Sequence, residues 1–462
     1  MRRQIMRRQV LRRQVLRREA KLLGVLVSTI VAASLTSIVA GSPARAQGNG
    51  KYFAPKDQVI AIRAASMFDA KAGTLVSNAV VLIKGDRITD VGANVQIPEG
   101  TSVIDLGTAT MMPGMIDAHV HVNTGGNTAS LAARALRALA NAQIDLDVGF
   151  TSVLDMDSRG SFYTVDLRDA INNGSVRGPR TQVVGQSLNP RATNYYPDNQ
   201  SVRTYEGYTE NKNVNGPWLA RSAVREAKLH GVDYIKIYTT QDFAGTEHMW
   251  KPDATLVNSP SLTPEEVNAI VDEAHRLGLK VACHTYGGEG MRSCLNAGVD
   301  APNHLLELDA ADVKVMLEKK LPFVPTVDDL VALEQADLRE TGGRNSRLKL
   351  LEQAVRRAVA AGIPIVFGSG ATSVAIPHGK QAGQFNYYAK WGLSPAQSLQ
   401  TAYLPAARML NYDWEKHIGT IEKGKFADII AVPGNPLADL NLMSRVQFVM
   451  KGGMVMRNEI SR

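Results

Sequence analysis

Nine histidines occur in 462 residues, and four of them stand where they could share one task. His119-Val120-His121 closes an apolar run at 115–122. Residues i and i+2 of a strand point to the same side, so these two imidazoles can face one metal ion. His284 and His304 close two further apolar runs, 280–285 and 300–304. Lys236 lies inside Tyr234-Ile235-Lys236-Ile237-Tyr238, where an ammonium is costly unless paired or chemically altered. A buried ion pair would account for it. So would reaction of its amine with carbon dioxide, giving an anionic carbamate able to bridge two metals. Imidazole nitrogen together with a carboxylate-like oxygen is a donor set suited to zinc. The two cysteines, Cys283 and Cys294, are too few for a disulfide framework or a Cys-type zinc site. Cys283 precedes His284 and is expected to face away from the site as a small core residue.

Such residues need a frame that gathers several strand ends. Eight strand-like runs supply one: 115–122, 151–156, 181–186, 234–238, 280–285, 300–304, 322–327 and 364–368. Amphipathic segments lie between them, among them 129–147, 218–230, 263–277, 310–319 and 346–361. Thr263-Pro264-Glu265-Glu266 is a helix start and Gly278 a helix stop. The alternation predicts an α/β fold, a (β/α)8 TIM barrel over 113–409, with its site at the C-terminal ends of the strands. Short β runs precede it (59–67, 79–91 with a Gly85-Asp86 hairpin, and 102–106) and follow it (417–421, 428–432 and 447–455). One small β-sandwich built from both ends, 47–112 and 410–462, is the economical reading. The polar, aromatic segments 189–216 and 241–261 follow strands three and four and read as substrate loops.

The formal charge of +8 does not mark a nucleic-acid binder, because residues 1–46 hold ten of the 52 Lys and Arg and one of the 44 Asp and Glu. The remainder is nearly neutral, which excludes a dominant basic patch. Residues 1–46 read as an export signal: repeated Arg pairs, an apolar stretch from Leu22 to about Val39, and Ala44-Arg45-Ala46 before Gln47. A cleaved, exported chain (periplasmic or secreted) without stable membrane insertion is the expectation. At 44% hydrophobic and 21% charged, the sequence has ample core material and is not disordered.

Five segments carry a resemblance: PGMIDAHVHV (113–122), YIKIY (234–238), VACHTYGGEG (281–290), NAGVDAPNH (296–304) and GTIEKGKFADIIAV (419–432). With these the chain resembles the amidohydrolase superfamily, in the imidazolonepropionase-related branch that includes prolidase-like dipeptidases and ochratoxin-hydrolysing enzymes. The resemblance implies two divalent metals, with zinc expected. His119 and His121 would hold the more buried ion, carbamylated Lys236 would bridge, and His284 and His304 would hold the second. It also implies that Tyr286 polarises the scissile carbonyl and that the chain forms a homo-oligomer. Imidazolonepropionases use one metal and lack the bridging lysine, so Lys236 favours the two-metal amide hydrolases.

The chain departs from the family at strand eight. Phe367-Gly368-Ser369-Gly370-Ala371 places Gly370 where the family carries an aspartate that touches metal and moves a proton. Loss of an acid–base group costs about 10²–10⁴-fold in rate, so an impaired hydrolase is expected unless Asp328, Asp329, Asp155 or Asp157 leans in. The implied reaction is cleavage of the amide of an N-acyl amino acid or dipeptide, ochratoxin-like amides included, by a hydroxide activated between two metals about 3.5–4 Å apart. Arg191 and His378 are candidates for a substrate carboxylate. Tyr195, Tyr196 and Trp250 could line an apolar pocket or simply pack their loops. The rival readings are a metal- or ligand-binding pseudoenzyme, favoured by Gly370, and a one-metal hydrolase of cyclic amides.

Overall fold

Alternating burial builds the first elements. Strands β1 (Val59–Asp69) and β2 (Thr74–Lys84) pair antiparallel, with Val59 opposite Lys84. In β2, Ala79, Val81 and Ile83 are buried while Val80 and Leu82 are half-buried, the two-residue period of a sheet with one covered face. The Asp69 carboxylate accepts the N–H groups of Lys71 and Ala72, which makes the turn between them. The 79–91 run folds back where predicted: Gly85 takes a φ of 57° and β3 (Arg87–Gly92) returns along β2. The structure, a computed structural model, describes residues 50–123, 130–158, 161–189, 212–240, 249–372 and 376–460.

Next come β4 (Ser102–Asp105), β5 (Thr110–Pro113), β6 (Met115–Val120), α1 (Leu131–Asp147), β7 (Phe150–Asp155), α2 (Tyr163–Asn172) and β8 (Arg180–Val183). The two-residue β9 (Leu188–Asn189) and β10 (Lys212–Asn213) precede α3 (Pro217–Leu229), β11 (Tyr234–Tyr238), α4 (Pro264–Arg276), β12 (Lys280–Thr285), α5 (Gly288–Ala297) and β13 (Ala301–His304). Helices α6 (Ala310–Lys319), α7 (Val327–Glu340), α8 (Arg347–Ala360), α9 (Gln384–Lys390), α10 (Pro395–Gln400) and α11 (Leu404–Met409) lead to β14 (Ile429–Val432), β15 (Phe448–Lys451) and β16 (Met454–Asn458).

One sheet joins both ends of residues 46–462, which form a single compact unit. Its order is β16-β15-β14-β5-β1-β2-β3, with β4 also on β1. The join is β14 against β5, with Ile429 opposite Pro113.

The remaining strands run parallel. β6, β7 and β8 pair in sequence, as do β11, β12 and β13. Asp233 N–H donates to the Val183 carbonyl and connects the two groups. Beyond β13, His304 N–H donates to Val324, Val366 N–H to Phe323, and Ala118 N–H to Phe367, which returns the circuit to β6. This is a TIM-barrel-type α/β domain. The seventh and eighth expected runs appear only as the bridges Asn303–Val324 and Phe323–Ile365. Pro322, Pro325 and Pro364 explain the shortfall, since proline has no N–H to give a ladder.

The strand faces sort as their parity predicts. Ile235 and Ile237 of β11 and Val281 and Cys283 of β12 pack with Val224 of α3 and Val267 and Ile270 of α4. Tyr234 and Ala282 join Ala118, Ala301, Val324 and Val366 in a separate cluster. Each fully buried aliphatic side chain contributes about 1.5–3 kcal/mol. Lys236 and His284 share the parity of that second cluster. Helix α4 starts as expected, in a capping box: Glu266 N–H donates to Thr263 Oγ1 and Thr263 N–H to Glu266 Oε2.

Two expectations are corrected. The segment 417–421 is not a strand; it follows a short helical turn, Trp414–Lys416, and the Lys425 ammonium ties down the carbonyls of Glu415 and Ile418. Cys283 does face away from the site, but it is not a free core thiol. It is bonded to Cys294 of the following helix, Cα to Cα 6.5 Å. The one-strand-one-helix step brings the pair together, and two cysteines eleven apart do not announce it. Closing a loop of that size is worth about 3 kcal/mol. Reductant should therefore lower the melting temperature of the wild-type chain and leave that of the Cys283→Ala/Cys294→Ala variant unmoved, as read by thermal denaturation.

Candidate functional site

A local irregularity accompanies the first two imidazoles. The β6–β7 register shifts between Asp117 and Val120, at the segment that carries His119 and His121. Their Nε2 atoms stand 3.3 Å apart. The Asp117 carboxylate braces the bulge by accepting N–H groups from His119 at 3.1 Å and Ser369 at 3.0 Å. Burial foremost pushes that carboxyl up to about 7. Gly370 N–H donates to the His119 carbonyl at 2.7 Å, and His121 N–H to Ala371 at 2.8 Å.

The other predicted ligands converge on this pair. The ring centroid of His304 is 5.5 Å from His119 and 4.5 Å from His284. Lys236 is wholly buried, and its Nζ lies 5.1 Å from the Tyr238 ring, itself 5.0 Å from His284. His304 is held well below the usual imidazole range, first by burial and then by His284, His119, Lys236 and His121. All five expected ligands therefore lie within electrostatic reach of one point. His304 itself has a φ of 73°, a left-handed conformation rare outside glycine, and strain of this kind collects at functional sites.

Two tautomers are dictated by neighbours. Asn303 spends its amide N–H groups on the carbonyls of Cys283 and Ala301, so its Oδ1 accepts from His119 Nδ1 at 2.8 Å. Thr326 gives its hydroxyl hydrogen to the Pro325 carbonyl and accepts from His304 Nδ1 at 2.5 Å. Both rings then present an Nε2 lone pair, the form that binds a cation. Two nitrogens on one tetrahedral ion at about 2.0–2.1 Å stand about 3.3 Å apart, which the His119–His121 pair matches. No group of three or more His, Cys, Asp or Glu is closed around one point among the described residues. The pair is the part of the donor set already at ligand spacing.

Tyr286 is buried, with its ring 5.0 Å from His284 and 5.5 Å from His304. Gly370 sits at the strand-eight end with a φ of 73°, and a Cβ there would lie 3.1 Å from the Cβ of Asp329. Asp155 accepts the Val122 N–H, and Asp157 is bonded by Ser187 and Tyr238. Burial, with the charges of Asp117 and Asp329, pushes Asp328 up to about 8.

His378, expected to meet a substrate carboxylate, has both ring nitrogens engaged within the protein. Its Nδ1 pairs with Asp145 at 2.9 Å and its Nε2 donates to the His121 carbonyl at 3.1 Å, leaving no nitrogen for a ligand. Burial opposes its charge, yet Asp145 and that carbonyl hold its pKa above the usual value. Trp250 likewise packs into the core and donates to Asp337 at 3.1 Å. Arg191, Tyr195 and Tyr196 lie outside the described residues. Asn303, Thr326 and Asp117 escaped the sequence reading; the signal available was polar residues inside apolar strand ends, beside the histidines.

Comparison with known proteins gives the family. Residues 110–456 match the amidohydrolase family model, and the chain belongs to that family, whose members are hydrolases acting on amide bonds and generally using divalent metals. An ochratoxinase of Aspergillus niger is 25% identical over 420 residues, covering 83% of this chain and 84% of its own. The structure of a Xaa-Pro dipeptidase with methionine bound in its active site superposes with a TM-score of 0.76 at 28% identity, covering 87% of this chain and all of the other. A prolidase complexed with N-methylphosphonate-L-proline gives 0.75 at 26% identity with the same coverage.

Gly368 is required by close approach: an added Cβ would meet His119 Cβ at 2.8 Å and Val324 Cγ1 at 2.5 Å. Gly368→Ala should cost about 1–3 kcal/mol of stability and melt early in a thermal scan. Gly383→Ala, which meets nothing within 4 Å, should melt like the parent.

Proposed function

We propose that this chain is a two-metal hydrolase that cleaves the amide bond of N-acyl amino acids or dipeptides, ochratoxin-like amides included. The observation that carries the reading is the His119–His121 Nε2 pair at 3.3 Å, with His284, His304 and Lys236 gathered around it. His119 and His121 would hold one ion, His284 and His304 a second, and Lys236, as its carbamate, would join them. Zinc suits this donor set. A buried ammonium among four imidazoles has no dielectric support, whereas a carbamate there would supply the anion that a dication needs. The similarity to an ochratoxinase and to prolidases supports an amide between an acyl group and an amino acid.

Bound metal would activate a water and polarise the carbonyl of the amide. The chain's own groups do the rest. Asn303 and Thr326 keep the His119 and His304 lone pairs turned inward. Tyr286, beside His284 and His304, donates its phenol hydrogen to the carbonyl oxygen as negative charge grows there. Gly370 contributes no side chain, so proton movement must come from another element.

We also read residues 1–46 as an export signal cleaved near Ala46-Gln47, the mature chain as a homo-oligomer, and the two domains as a (β/α)8 barrel and a β-sandwich of both ends. The Cys283–Cys294 disulfide favours an oxidising compartment. Among the described residues no helix is long and apolar enough to cross a membrane.

Metal analysis of the zinc-loaded chain should find about two ions per chain, the number a two-metal site requires. Lys236→Ala should reduce this to about one ion and abolish amino-acid release from a panel of N-acyl amino acids and dipeptides. One ion in the parent, with turnover of cyclic amides, would instead support the one-metal hydrolase. Asn303→Ala should keep the fold, by circular dichroism, and weaken zinc binding about 10–100-fold.

A further inference from the structure

We propose that Asp329, in the first turn of α7, supplies the carboxylate that strand eight lacks at Gly370. The inference rests on the two-metal reading above and names the proton-carrying group of that site.

Three observations place Asp329 there. An ideal Cβ on Gly370 would lie 3.1 Å from Asp329 Cβ and 3.5 Å from its carboxyl carbon. The Asp329 side chain therefore borders the space that a side chain at 370 would enter. The same Cβ would lie 3.5 Å from Cβ of Thr326, whose hydroxyl holds His304 Nδ1. The space beside Gly370 thus borders both Asp329 and the residue that supports a metal-site imidazole. Lastly, burial works against the Arg347 charge, but Tyr286, Asp337 and Asp329 outweigh it and raise its pKa. Asp329 and Tyr286 therefore lie in the field of one guanidinium.

The other nearby carboxylates are not among the atoms nearest a Cβ on Gly370. Asp155 and Asp157 accept from Val122, and from Ser187 and Tyr238. Asp328 lies in the field of Asp117 and adds its own charge to that felt by Tyr388, under the strand-eight segment. Four imidazoles and one carbamate would bring a single negative charge to two dications, so the site favours a further carboxylate, and Asp329 stands at the strand-eight end.

In the reaction, Asp329 takes the proton released as water oxygen bonds to the carbonyl carbon. It returns that proton to the nitrogen as the C–N bond breaks, so the products are a carboxylic acid and an amine with no redox change. Gly370 and Asp329 also accommodate each other. Aspartate tolerates a left-handed φ better than most residues, so crowding and like charge against Asp329 are what oppose a carboxylate at 370.

The test is zinc binding by the metal-free full chain, in competition with a chelator, for the parent, Asp329→Asn, Asp328→Asn, Gly370→Asp and the Asp329→Asn/Gly370→Asp double variant. Amide hydrolysis is followed beside it. Asp329→Asn should weaken zinc binding by about tenfold or more and lower kcat by about 10²–10⁴-fold. The double variant should recover most of both, and Asp328→Asn should change neither beyond about twofold. Gly370→Asp alone should lower the melting temperature without raising kcat. The proposal is overturned if Asp329→Asn binds zinc like the parent. It is equally overturned if Gly370→Asp alone tightens zinc binding and raises kcat, a result that does not depend on Asp329→Asn folding. If the zinc series behaves as expected but no variant cleaves any amide in the panel, the Asp329 assignment stands and the substrate reading fails.

Discussion

A barrel closes only where its first and last strands exchange hydrogen bonds, and here that exchange runs through the residues beside the two paired imidazoles. Ala118 N–H reaches Phe367, Gly370 N–H reaches His119, and His121 N–H reaches Ala371. Asp117 sits across the joint and binds N–H groups from both strands with one oxygen. Gly368 lets the chains approach, since any side chain there would strike His119 or Val324. A register shift in β6 falls at this joint, between Asp117 and Val120. Closing the fold and building the ligand pair are one event. A change at the joint should therefore be felt in stability and in metal binding at once.

Electrostatics carries the cost. Asp117, Asp155 and Asp328 are buried carboxyls whose pKa values are pushed up to about 7, 7 and 8. Burial is the largest cause in each. Such groups persist because backbone N–H donors partly replace water for Asp117 and Asp155, and because a cation site nearby would favour the ionised form. The His378–Asp145 pair is a different solution: a buried ring is spent on holding the His121 carbonyl in place. It contributes to the site by holding a strand.

The parts of the site legible in the sequence are those that follow from period and residue type. His119 and His121 at i and i+2, Lys236 inside an apolar run, and His284 and His304 at strand ends all stand where alternation put them. The illegible parts depend on contacts between distant segments. The bulge at Asp117, the left-handed φ of His304 and the Asn303 and Thr326 supports arise from how strands meet. The Cys283–Cys294 bond needed the turn between β12 and α5. The weak seventh and eighth strands were overestimated because their apolar residues outweighed their prolines. The pairing of His378 is illegible for the same reason: a histidine in a loop after strand eight carries no mark of the aspartate 233 residues earlier that claims it.

Barrel geometry explains how one carboxylate could stand in for another. Neighbouring strands lie about 4.8 Å apart, less than the reach of two side chains, so the C-terminal ends of strands seven and eight address the same point in space. A function that needs an oxygen at that point constrains where the oxygen sits and not which strand delivers it. The turn from the seventh strand into α7 passes through Thr326 with a φ of 52°, which swings Asp329 over the end of strand eight. With that turn in place a side chain at 370 is excess, and glycine, left-handed at 73°, fits without strain. The departure from the family pattern at Gly370 and the packing of Asp329 are then two sides of one arrangement: the Asp329 side chain borders the space that a side chain at 370 would enter.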